Sequence, residues 1–316
     1  MIPFRPLFRN PHMQTIAGHL WVRTGEEARF PLSPRLHRTE PEVEVLIQSQ
    51  QPAGPPAGDI VMVHGLEGSG TSGYVRSLAG AALRAGFAAH RFHMRTCGGT
   101  ERLCPTLYHA GLTSDLLAVL REFEREQRGP VFLVGFSLGG NVVLKLAGEL
   151  AESARPLLRG VCAVSAPLDL ASSARRIAQR DNRLYERRFV RRMRARLCAT
   201  GRYGPADFAG LASVMQIDDR ITAPSFGFGN AANYYRTQSA ALFLDGIRVP
   251  TLLIHAQDDT LAPFDGVAEA AGRHPGIELI APPRGGHLGF IGRRPHRFWA
   301  DAAILDWIAR QNGSCA

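Results

Sequence analysis

The chain has 316 residues, 45% of them hydrophobic and 21% charged, and carries a formal net charge of +9. Its apolar runs fall short of the ~18 residues that span a bilayer, and the N-terminal "MIPFRPLFRNPHMQTI" lacks the continuous apolar stretch and cleavage site of a signal peptide. A globular, cytoplasmic protein is expected, and its five cysteines (Cys97, Cys104, Cys162, Cys198, Cys315), with no C-x-x-C pair, are expected to be reduced thiols rather than a disulfide framework or a zinc site.

In chain order, residues 1–50 include the Pro-rich "FPLSPRLHRTEPEVEV" and predict an antiparallel edge strand at about 43–48. Strand-like runs follow at 59–64, 87–92, 130–136, 160–166, 251–256 and 277–281. Between them, Tyr74 to Arg84, Leu112 to Glu126, Leu138 to Leu150, Phe264 to Arg273 and His296 to Arg310 carry apolar residues at helical spacing. Such alternation predicts an α/β fold: one domain over 1–316 with a mostly parallel sheet and helices on both faces. Residues 168–247 hold no convincing strand and are expected to form a helical lid inserted over the sheet.

Ten arginines lie between 175 and 196, and outside that block the charge is close to balanced. No nucleic-acid partner is therefore expected, since the basic character belongs to one segment. If that segment is a single helix, Arg176, Arg180, Arg183, Arg187, Arg191 and Arg194 share a stripe about 80° wide. Such a ridge is expected first as a solvated lid surface, with peripheral contact with an anionic membrane as the functional alternative.

The strongest chemical signal is "VFLVGFSLGGNVVLKLAGEL" (131–150): a buried strand, then G-F-S-L-G at 135–139, then an amphipathic helix. This is the pattern of a nucleophile elbow, where a strained turn exposes Ser137 at a helix N-terminus and aims the N–H of Leu138 at a developing oxyanion. A serine needs a base to take its proton and a carboxylate to orient that base. "TLLIHAQDDTLAP" supplies Asp258 and Asp259 after one late strand, and "IELIAPPRGGHLGF" supplies His287 after the next.

"HGLEGSGTSG" (64–73) admits three readings. Thr71 stands where a phosphate-binding P-loop needs lysine, and Glu67 would repel phosphate. A dinucleotide site would start its glycines at the strand end and finish the next strand on an acid, whereas that strand here reads "HRFHMR". The remaining reading is an oxyanion loop, with the N–H of Leu66 facing that of Leu138.

"HGLEGS", "RTCGGTE", "GFSLGGNVVLKLAGE", "GIRVPTLLIHAQDD" and "GGHLGF", with "NPHMQTI" near the start, resemble the YheT-like branch of the α/β-hydrolases (AB hydrolase family 4) from about residue 8 to 310. The resemblance implies an α/β-hydrolase fold and a triad of Ser137, Asp259 and His287. In related hydrolases the orienting Asp stands four residues before a proline, as Asp259 does before Pro263; Asp258 is then expected to cap its own turn. The family usually shows R-G-C-x-G where Thr96 follows Arg95 here.

The expected function is hydrolysis of a small-molecule carboxylic ester through an acyl-serine intermediate, with no cofactor. Transfer of the acyl group to an alcohol, or a silent lipid- or partner-binding fold, are the alternatives. His90, His93, Cys97 and Cys104 are not expected to bind metal, because His90 and His93 point to opposite faces of a strand. His12 and Gln14 either edge the site or dock the N-terminal arm; Pro11 and its apolar neighbours suit docking.

Overall fold

The computed structural model describes residues 2–21 and 25–313. The first half runs α1 (Pro11–Leu20), β1 (Ser33–Glu40), β2 (Val43–Gln50), β3 (Asp59–Val63), α2 (Gly73–Arg84), β4 (Ala88–Phe92), α3 (Ser114–Arg125), β5 (Val131–Phe136) and α4 (Leu138–Leu150). After β6 (Leu158–Val164) come α5 (Leu170–Ile177), α6 (Arg183–Ala199), α7 (Val214–Ile217), α8 (Ala223–Ser225) and α9 (Ala231–Gln238). The chain then returns to the sheet with β7 (Thr251–Ile254), α10 (Asp265–Arg273), β8 (Ile277–Ile280) and α11 (Trp299–Gly313).

The strands form one sheet in the order β1-β2-β4-β3-β5-β6-β7-β8. From β4 to β8 every pairing is parallel; β1 with β2 and β2 with β4 are antiparallel. The period-two alternation of β3 and β5 splits the core into two layers. Val61, Val63 and Leu133 pack with Leu116, Leu120, Val143 and Leu146 of α3 and α4. Ile60, Met62, Phe132 and Val134 pack with Leu78, Ala82, Ile304 and Trp307 of α2 and α11. Full burial of each such side chain contributes about 1.5–3 kcal/mol, which is why these strands read so clearly as apolar runs.

The N-terminal region departs from expectation in three ways. The strand anticipated at 43–48 is β2, and it is internal: β1, which has no apolar alternation, forms the edge. Only His37 of β1 is buried. The strand is tied to α3 by polar contacts, His37 Nδ1 to Glu122 Oε2 at 2.6 Å and Arg35 to Glu126 at 2.7 Å. Helix α1 was also hidden, because the residues it buries are Gln14, Thr15 and Gly18 rather than an apolar stripe. Its start is conventional, with Asn10 accepting the Met13 N–H at 3.1 Å and Pro11 opening the first turn.

The arginine block is not one helix. α5 ends at Ile177 and α6 begins at Arg183. Asn182 holds the corner between them, donating to Arg176 O at 2.8 Å and Thr260 O at 2.7 Å. Arg176 pairs with Asp181 at 2.8 Å, while Arg194 folds inward to donate to Phe208 O at 3.3 Å and to Leu211 O. The six-residue stripe is therefore broken, and α6 presents a different outer face. Cys97, Cys104, Cys162 and Cys198 are free thiols, and Cys315 lies outside the described residues. Among the described residues no helix is long and apolar enough to cross a membrane.

Candidate active site

β5 and α4 are separated by one residue, Ser137, held at φ 52° and ψ −122°. A non-glycine residue there stores ~1–3 kcal/mol of backbone strain. The neighbours permit it because they lack side chains. A Cβ on Gly135 would lie 2.3 Å from Gly139 O, and one on Gly139 would lie 2.4 Å from His64 O. The Ser137 N–H donates to Val164 O at 2.8 Å, which anchors the turn to the next strand.

Ser137 Oγ lies 2.8 Å from Nε2 of His287, and Nδ1 of His287 lies 3.0 Å from each carboxylate oxygen of Asp259. Since the carboxylate can only accept, Nδ1 carries the proton and Nε2 is free to take one from the serine. Asp259 Oδ1 also accepts the N–H groups of Leu261 and Ala262 at 2.8 and 2.9 Å. Burial alone would raise the Asp259 carboxyl, but the adjacent His287 and these hydrogen bonds outweigh it and hold the group at about 2. Behind it, His255 donates from Nε2 to Ala262 O at 3.0 Å, and burial lowers its basicity.

The loop bearing His287 is fastened through four consecutive backbone N–H groups. Those of Gly285 and Gly286 go to Asp258 Oδ1 at 2.7 and 2.9 Å. That of His287 goes to Thr15 Oγ1 at 2.9 Å, and that of Leu288 to Ser165 Oγ at 3.2 Å. Asp258 thus caps the histidine loop and not its own turn, because its carboxylate lies beside N–H groups that would otherwise be unsatisfied. Thr15 and Ser165 had no sequence signal, as each acts across a tertiary contact.

The 64–70 stretch is fixed by close packing. Buried His64 donates from Nδ1 to Gly65 O at 2.8 Å and accepts the Met94 N–H on Nε2 at 3.2 Å; burial lowers its pKa to about 3, so the ring is neutral. A Cβ on Gly65 would lie 3.0 Å from Ser137 Cβ, and one on Gly70 would lie 2.4 Å from His93 Nε2. Glu67, at φ 53°, donates its N–H to Tyr108 Oη at 3.0 Å. Its carboxylate receives Arg196 of α6 at 2.9 Å, and Arg196 also reaches Thr96 Oγ1 at 2.9 Å. The Thr96 position is left-handed, at φ 58°, so the side chain that replaces the family's usual glycine has work there: it holds the arginine.

Leu66, Ser137, Leu138 and His287 face one cavity of about 750 Å³, counted with its open mouth. Its far wall is apolar, built from Leu170, Ile177, Phe189, Met193 and Val214 between β6 and β7. Asp218 also lines it, accepting from Tyr235 Oη at 2.7 Å. Burial pushes the Asp218 carboxyl up to about 6, against hydrogen bonds from Tyr235 and Thr222.

Ser137, Asp259 and His287 thus converge, with Leu66 and Leu138 beside them. His90, His93, Cys97 and Cys104 do not form a ligand set: His90 bridges Asp59 at 2.7 Å and Ser49 at 2.8 Å, and no metal-binding cluster occurs among the described residues. Gln14 docks the N-terminal arm, accepting the Ile291 N–H at 3.0 Å and donating to Ile291 O at 3.2 Å. His12 contacts Tyr185 of α6 at 3.2 Å.

The sheet order, the elbow and the serine–histidine–aspartate series define an α/β-hydrolase, and the model described as "Alpha/beta hydrolase family" matches residues 60–302. The chain is 34% identical to the Escherichia coli (strain K12) protein named "Putative esterase YheT", over 97% of this chain and 92% of that protein. It therefore belongs to the alpha/beta hydrolase family, in the YheT-like branch. A Saccharomyces cerevisiae protein named "Monoacylglycerol lipase" is 30% identical over 76% of this chain, which spans 56% of that lipase's length. Among solved structures, the Pyrococcus furiosus esterase Pf2001 shares the fold with a TM-score of 0.62 at 17% identity, covering 92% of this chain and 96% of that one.

Proposed function

We propose that the chain hydrolyses carboxylic esters of short to medium acyl chains, acylglycerols among them, through an acyl-serine intermediate. His287 takes the Ser137 proton as Oγ attacks the acyl carbon, and returns it to the departing alkoxide. It then deprotonates the water that releases the acid. Asp259 orients His287 and offsets its charge, and the N–H groups of Leu66 and Leu138 receive the oxyanion. The helices within 168–247 serve as the lid. The supporting observation is the hydrogen-bonded series from Ser137 through His287 to Asp259, opening on an apolar cavity. The names of the bacterial and yeast relatives agree with an ester substrate. We further propose a cytoplasmic location, which suits the four free thiols.

The test is turnover of p-nitrophenyl esters of graded chain length, with and without added alcohol, so that the products separate hydrolysis from acyl transfer. Ser137→Ala should abolish turnover and fluorophosphonate labelling, since loss of the nucleophile costs about 10⁶ in kcat. Labelling that survives in this variant would refute the assignment.

A further inference from the structure

Helices α1 and α6 lie side by side on the surface. His12 stacks on Tyr185 with ring centroids 5.8 Å apart, and Arg188 Nη2 meets His19 Nε2 at 2.6 Å. α1 buries Gln14, Thr15 and Gly18 against the body, which turns Met13, Ile16 and Leu20 outward within an arc of roughly 60°. They are 48%, 40% and 68% exposed, and Trp21, at the helix end, is 38% exposed.

α6 buries Val190, Met193 and Leu197. At 100° per residue the opposite face carries Leu184, Arg187, Arg188 and Arg191 within an arc of roughly 100°. Leu184 is 75% exposed. Arg183, Arg187, Arg191 and Arg192 have no acid partner among the described residues. Arg297 adds another cation, its guanidinium 4.9 Å from the Trp21 ring centroid.

Scattered exposed apolar side chains need no explanation. Exposed apolar side chains on two neighbouring helices joined through His12–Tyr185 and His19–Arg188, bordered by arginines without an acid partner, are different, because they join a surface that water disfavours to one that attracts anions. Nucleic acid or an acidic protein would use the arginines and leave the protruding Leu20, Leu184 and Trp21 without a role. A bilayer with anionic headgroups uses both: phosphates meet the guanidinium groups while the apolar side chains enter the acyl boundary.

We propose that this α1–α6 face docks on anionic bilayers. The arginines responsible are those on the outer arc of α6, and the apolar contribution comes chiefly from α1. Since α6 also lines the cavity through Phe189 and Met193, docking brings the cavity wall to the lipid surface.

The experiment is co-sedimentation of the full chain with phosphatidylcholine vesicles, with and without phosphatidylglycerol, at low and high salt, while Trp emission is recorded. Of the three tryptophans, Trp299 and Trp307 are each 1% exposed, so a vesicle-induced blue shift reports on Trp21. Binding should require phosphatidylglycerol, weaken steeply with salt and blue-shift the emission. Arg187→Gln/Arg191→Gln and, separately, Leu20→Ser/Leu184→Ser should each lower partitioning at least about tenfold. These positions lie outside the cavity, so both variants should keep wild-type turnover of a soluble short-chain ester, which also reports folding. Absence of binding by the wild type overturns the proposal. So does binding that leaves Trp21 emission unchanged or survives the leucine changes, either of which would indicate nonspecific polyanion attraction.

Discussion

The hydroxyl of Thr15 accepts the backbone N–H of His287 at 2.9 Å, tying an N-terminal helix to the proposed general base. The same oxygen lies 3.2 Å from Thr260 Oγ1, next to Asp259. Thr15→Ala would leave a buried N–H without its partner, a cost of about 1–3 kcal/mol, and release the histidine. We expect kcat to fall about ten- to a hundredfold with KM little changed, as small misplacements of catalytic groups do. Thr15→Ser should restore most of the rate. If both variants were equally impaired, packing of the methyl group and not the hydrogen bond would be responsible.

The two adjacent acids divide the work. Asp259 contacts the ring of His287, whereas Asp258 holds the backbone of its loop. Asp259→Asn should lower kcat about 10⁴-fold, since an amide no longer favours the tautomer that can accept the serine proton. Asp258→Ala should act more weakly and should also lower Tm, because two N–H groups lose their acceptor. Steady-state kinetics and thermal melts of both variants decide this. Equal losses of kcat would contradict the division.

The ion pair between Arg196 and Glu67 links α6 to the proposed oxyanion loop at 2.9 Å, with both side chains at most a tenth exposed. Removing either charge strands the other, at about 3–5 kcal/mol. We expect Arg196→Met and Glu67→Gln each to be strongly destabilised, and the double variant to be more stable than their summed effects. Denaturant melts of the four proteins measure the coupling, and strict additivity would argue against it.

The Asp218 carboxyl, pushed up to about 6 by burial, predicts a pH dependence of definite sign. Its pKa is higher in the folded protein than the ordinary aspartate value of 3.8, so the folded state binds this proton more tightly than the unfolded chain. Its contribution to stability is complete below about 4 and is lost as pH rises through about 6. Asp218→Asn, which keeps an acceptor for Tyr235, should therefore raise Tm at pH 8 and change it little at pH 4. A gain independent of pH would show that ionisation is not the cause.

What the sequence disclosed and what it concealed follow from the range of the interactions involved. Gly135, Ser137 and Gly139 sit in one turn, and the strands before them are buried on both faces, so a local pattern sufficed. The order serine, aspartate, histidine was equally plain, because each residue follows its own strand. Thr15 and His287 are 272 positions apart, and Arg196 and Glu67 are 129 apart. No local spacing encodes such pairs. β1 and α1 escaped for a related reason: both are held by polar contacts, so neither carries the apolar period that betrays an element. The arginine stripe failed because one continuous helix was assumed where Asn182 turns the chain.

The tether between α1 and the histidine loop also has a consequence during synthesis. Thr15 and Gln14 leave the ribosome long before their partners His287 and Ile291, which follow 272 and 277 positions later. The strand that carries Ser137, by contrast, pairs with β3 and β6, both complete by residue 164. The serine side can therefore form before the histidine side, and the N-terminal helix cannot make these contacts until residue 291 has emerged. A nascent chain stalled between β6 and residue 287 could hold the Ser137 turn but would lack the proposed general base.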